Sequence, residues 1–148
     1  MPTSKGEQLW DACNDGNDAE ARQLIDEGAD VEWRDLSAEE TPLMRAADNG
    51  HEDVVRLLLD TGASINARNN GYITPLHFAA SNRDNDGIVS LLIQRGADIH
   101  TYEPFLGFTP LESAEKPDGS HSPTFAVLKL AIAATSGKDN QLKYAMKQ

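Results

Sequence analysis

The sequence predicts an all-α solenoid of four helix–turn–helix units joined by extended loops. Three observations predict it. The segment Thr41-Pro42-Leu43-Met44-Arg45-Ala46-Ala47 recurs as Thr74-Pro75-Leu76-His77-Phe78-Ala79-Ala80 and, weakened, as Thr109-Pro110-Leu111-Glu112-Ser113-Ala114, at spacings of 33 and 35. A second signature follows each time, as Gly28-Ala29-Asp30-Val31, Gly62-Ala63-Ser64-Ile65 and Gly96-Ala97-Asp98-Ile99, with the glycines 34 apart. The runs 21–25, 54–59 and 88–93 carry apolar residues at helical spacing, the mark of a buried stripe. Leu9-Trp10-Asp11-Ala12-Cys13 stands 34 residues before Leu43-Met44-Arg45-Ala46-Ala47, so a first unit exists without its Thr-Pro opening. No unit can bury an apolar face alone, so neighbours must stack.

Each element has a mechanical reason. Thr41, Thr74 and Thr109 sit at helix N-caps, where a hydroxyl accepts from a free backbone N–H. Pro42, Pro75 and Pro110 take the first helical position, where a missing N–H costs nothing. The paired alanines let two helices approach closely. Gly28, Gly62 and Gly96 end the longer helices in the left-handed conformation. Helices are expected at 5–14, 18–27, 42–48, 52–60, 75–81, 86–94, 110–115 and 123–135, with a short ninth near 140–147. Ser4 with Glu7 reads as a capping box, and Ser122-Pro123 opens the last long helix. The chain divides as one domain, 1–148, with units 5–40 (N-terminal cap), 41–73, 74–108 and 109–136 (C-terminal cap) and an extension 137–148.

Composition bounds the function. The 148 residues carry 24 acids and 13 bases, a net charge of −11 with pI near 4.6. Nucleic acid and anionic membrane surfaces both demand a basic footprint, so neither is the expected partner. No run of about 18 apolar residues predicts a membrane span, and the N-terminus lacks the apolar core of a secretory signal. Cys13 is the one cysteine, which fits a reducing cytoplasm or nucleus. The charge is lopsided. Residues 1–40 hold 12 acids and 3 bases, a net of −9, whereas the chain from Lys116 onward carries a net of +3.

Thr-Pro-Leu-His-x-Ala-Ala, followed by the run Gly50-His51-Glu52-Asp53-Val54-Val55-Arg56-Leu57-Leu58-Leu59-Asp60-Thr61-Gly62-Ala63, resembles ankyrin repeats over about residues 5–135. The resemblance implies β-hairpin-like inter-repeat loops that project as fingers along one edge, and a concave face lined by the short helices. The third unit departs from the pattern, replacing the Gly-His turn with Asn82-Arg83-Asp84-Asn85-Asp86, one residue longer. The fourth breaks it with Lys116-Pro117-Asp118-Gly119-Ser120-His121.

No catalytic constellation is present: there is no Gly-x-Ser-x-Gly elbow, phosphate-cradling loop or His-Glu-x-x-His. The four histidines lack metal-ligand spacing. His77 and His51 read as structural, and Cys13 as a small core residue. No enzyme, cofactor or metal is therefore expected.

The candidate surface is made of aromatics and polar groups. Trp33, Tyr72, Tyr102, Phe105 and Phe108 fall in the inter-unit loops, and Trp10 and Phe78 on short helices. Exposed, clustered aromatics are hot-spot material. Phe108, directly before Thr109, is expected to pack instead. Arg45, Asp48, Asn49, Ser81 and Asn82 continue the concave face. Asn66 stands where the resemblance places asparaginyl hydroxylation sites, with Glu32 and His100 at the equivalent places. The expected function is a monomeric, non-catalytic protein–protein interaction module, an adaptor, scaffold or regulatory subunit, using the concave face and loop tips. The alternative is a regulator that occludes a partner's basic patch with the acidic first unit.

Overall fold

The computed structural model describes residues 3–82, 84–105, 107–114 and 123–145, with 137–145 described by backbone alone. Its helices are α1 Lys5–Asp15, α2 Asp18–Asp26, α3 Pro42–Asp48, α4 Glu52–Asp60, α5 Pro75–Ser81, α6 Asp86–Gln94, α7 Pro110–Ser113 and α8 Pro123–Ala145. The short helices stack as α1 on α3, α3 on α5 and α5 on α7; the second helices stack as α2, α4, α6 and α8. One continuous apolar cluster runs through all four units, from Leu9 and Leu24 through Leu43, Val55 and Leu58 to Leu76, Leu92 and Leu128.

The repeated Thr-Pro does what its chemistry requires. Thr41, Thr74 and Thr109 each accept from the backbone N–H three residues on, and that third residue returns a bond to the cap N–H. The return acceptor differs each time: Met44 Sδ at 3.4 Å, His77 Nδ1 at 3.3 Å and Glu112 Oε2 at 2.7 Å. At α1 the box is only half formed. Ser4 Oγ accepts from Glu7 N at 3.1 Å, but the Glu7 carboxylate makes no return bond among the described residues.

Successive units are stitched by polar brackets at the repeat period. His51 Nε2 donates to Asn14 O at 3.0 Å, and Asn85 Nδ2 donates to Ala47 O at 2.8 Å. Both are N-cap residues of a second helix that reach back to the end of the preceding unit's short helix. The longer third turn thus supplies by Asn85 what His51 supplies before it. The brackets approach so closely that a Cβ on Gly16 would lie 2.5 Å from His51 Nδ1, and one on Gly50 2.9 Å from Asn85 Oδ1. Both glycines also have positive φ, +72° and +79°, so a side chain is excluded twice over. On the loop side, Glu32 Oε1 accepts from Ser64 N at 2.6 Å and Asn66 Oδ1 from Asp98 N at 2.8 Å.

The fingers are hairpin-like without forming strands among the described residues. Each is closed by a backbone bond: Asp35 N to Glu40 O at 3.2 Å, Asn69 N to Ile73 O at 3.1 Å and Glu103 N to Phe108 O at 2.9 Å. Each carries a left-handed residue two before the Thr, namely Glu39, Tyr72 and Gly107, at φ 57°, 63° and 74°.

Two expectations need correction. The separate ninth helix near 140–147 does not form, because α8 continues unbroken to Ala145; nothing in 136–142 is a helix breaker strong enough to stop it, Gly137 included. The fourth unit's short helix is four residues long, ending at Ser113. Ser122 and His121 lie outside the described residues.

Candidate docking face

The face lined by the short helices α1, α3 and α5, which the resemblance implies is the concave one, carries polar side chains largely bonded to one another. Arg45 pairs with Glu40 at 3.4 Å and Asp48 at 3.2 Å, donates to Asn14 Oδ1 at 2.9 Å, and stands 5.2 Å from the Trp10 ring centroid. Asn49 Nδ2 donates to Asn14 O and Oδ1, each at 3.1 Å. Asn82 Nδ2 donates to Asp48 O at 2.7 Å, and Ser81 Oγ to Phe78 O at 2.9 Å. Burial raises the Glu40 carboxyl above its ordinary value, with the Arg45 charge opposing that shift. Arg45, Asp48, Asn49 and Asn82 thus knit units together, and much of their hydrogen-bonding capacity is used within the scaffold. Phe78 is half-buried.

The loop tips are more open. Phe105 is 77% exposed, Tyr102 61% and Tyr72 46%. Tyr72 and Phe105, from successive fingers, lie 6.4 Å apart between ring centroids and are tilted by 52°. Phe108, expected to pack, is 47% exposed. Its backbone carries the structural role, since Phe108 O receives His77 Nε2 at 3.1 Å. A depression of about 430 Å³ between the second and third fingers is lined by Arg68, Tyr72, Asp98, His100 and Tyr102 among others.

A second recess, of about 500 Å³, lies between α1 and the first finger. Trp10 and Trp33, both half-buried, line it with Glu7, Asp11, Asp35 and Leu36. Trp33 packs so tightly on α1 that a Cβ at Gly6 would fall 2.4 Å from its ring. Asp35 anchors the finger, accepting from Ser37 N at 2.9 Å, Ala38 N at 3.2 Å, Glu40 N at 2.6 Å and the Ser37 hydroxyl. Burial pushes its carboxyl up, but these donors outweigh it and hold the pKa at about 2. Sequence reasoning found both tryptophans and missed Gly6 and Leu36. Leu36 is wholly exposed, and an apolar residue inside the turn Asp35-Leu36-Ser37 was the available signal.

The remaining candidates have structural placements. His77 is buried and caught between Thr74 and Phe108 O. Because Thr74 N donates to Nδ1, the proton sits on Nε2 and is given to the carbonyl. Burial lowers its pKa, so the ring is held neutral. Cys13 is fully buried, and desolvation pushes its thiol up to about 12, which makes it unreactive. Asn66 is exposed, with its Oδ1 engaged by Asp98 N. Among the described residues no group of three potential ligands is placed to hold a metal, and no helix is long and apolar enough to cross a membrane.

The chain matches the family model for ankyrin repeats, three copies, over residues 9–103. No curated protein matches it significantly.

Proposed function

The chain belongs to the ankyrin-repeat family, whose members are generally protein–protein interaction modules, and from that premise we propose that it is a non-catalytic adaptor or regulatory subunit. It binds a partner protein along the edge formed by the finger tips and the adjoining concave face. The observation that carries this reading is the row of exposed aromatics, Tyr72, Tyr102 and Phe105, on a rigid scaffold whose concave polar groups bond largely to one another. Rigid aromatic anchors bind at low entropic cost, because little has to be ordered on association. The net −9 of residues 1–40 favours a partner with a basic patch.

The test is capture from native lysate with wild type and with Tyr72→Ala plus Phe105→Ala. Loss of a wild-type partner in the double variant is the expected result. Equal recovery by both proteins refutes the finger-tip surface.

A further inference from the structure

The recess between α1 and the first finger differs from the rest of the face in two ways. Its walls are apolar where most of the concave surface is polar: Trp10, Trp33 and the wholly exposed Leu36 line it together. Its rim is acidic. Glu7 and Asp11 form no ion pair among the described residues, while Asp35 is bonded by its own finger. Arg34, the one cation lining it among the described residues, is turned to backbone, donating to Glu39 O at 3.0 Å and Arg68 O at 2.8 Å.

An occupant must therefore offer an apolar side chain and positive charge within a short span. An extended stretch of polypeptide rich in Lys or Arg around one large apolar residue offers both. We propose that this recess is the docking site for such a basic peptide segment of a partner protein. Its apolar residue seats among Trp10, Trp33 and Leu36, and its cations face Glu7 and Asp11. The proposal rests on the reading of the chain as a protein-binding module and names the partner's chemistry at one part of that face.

The chain supplies its own probe. It has two tryptophans, Trp10 and Trp33, and both line the recess, so intrinsic tryptophan emission reports occupancy directly. Peptides nine residues long would be titrated: one set with Lys and Arg flanking a central Leu, one with Ser for that Leu, one with Glu for the cations. The expected result is a saturable emission change with the first set alone. Its Kd should weaken on the order of tenfold in Glu7→Gln plus Asp11→Asn, again in Leu36→Ser, and steadily with added salt. No saturable change with any peptide, or an unaltered Kd in both variants of unchanged circular dichroism, overturns the proposal. So does concentration-dependent self-association abolished by Glu7→Gln plus Asp11→Asn, which would assign the recess to the basic end of a second copy. If the peptides fail while Tyr72→Ala plus Phe105→Ala still loses a captured partner, the recess falls and the finger-tip reading stands. If both fail, the docking face as a whole is wrong.

Discussion

Asp35 and His77 show what single side chains contribute when their charge state is fixed by the fold. Asp35 has its folded pKa depressed to about 2, below the usual carboxylate value of about 3.9. The sign follows. The stability it gives is present above about pH 4 and is lost as pH falls through 2. His77 is also depressed, chiefly by burial, so the neutral ring that caps α5 must gain a proton as the chain acidifies. Its contribution is present above the usual histidine value of about 6.5 and falls away below it. The urea midpoint is therefore expected to decline in two stages, first below pH 6.5 and again toward pH 2. Asp35→Asn keeps the shape but gives up the charge-assisted bonds to three backbone N–H groups. It should cost about 1–2 kcal/mol at pH 7 and flatten the lower stage. Midpoints that track wild type at every pH would show that the finger is held by something else.

At the level of elements, most of the fold was legible and the site was less so. Helix positions followed from Thr-Pro caps and a 3.6-residue apolar stripe, which are local signals, and α3–α6 fall on the expected residues. The brackets between units were not legible, because His51 and Asn85 differ in chemistry and in turn length yet both reach a carbonyl near the end of the preceding short helix. Only the stacked backbone reveals their equivalence. The same holds for the recess: Gly6 and Trp33 are 27 residues apart and meet because α1 and the first finger are folded against each other. Asn85 gives the sharpest check of the bracket idea. It is 4% exposed, and Asn85→Ala strips the side-chain donor from a carbonyl at the end of α3. A loss of about 1–3 kcal/mol is expected in urea unfolding. Asn82→Ala, which removes a donor from an exposed residue, should cost less than about 1 kcal/mol. Equal losses would mean that burial of the bracket is irrelevant.

The whole molecule is a one-dimensional stack, so its stability is the sum of units and interfaces and need not be uniform. The inner units have a neighbour on both sides. Helices α3 and α5 bury five residues each, whereas α7 buries Pro110 alone. Opening from the C-terminal end frees one interface, including that of Leu128 on α8, and so exposes less apolar surface than opening at the centre, which frees two. Native-state hydrogen exchange is expected to be slowest in α3–α6 and fastest in α7, with α1 between them. Asn85→Ala adds a directional test, because it weakens the junction between the second and third units. Exchange should accelerate from α5 onward while α1 and α2 keep most of their protection, since the units that hold them are untouched. That asymmetry has a functional consequence: the end of the stack carrying Trp10, Trp33 and the acidic rim stays folded when the far end opens. Uniform acceleration across all helices would instead mean that the four units unfold as one, and that the docking face is only as stable as its weakest repeat.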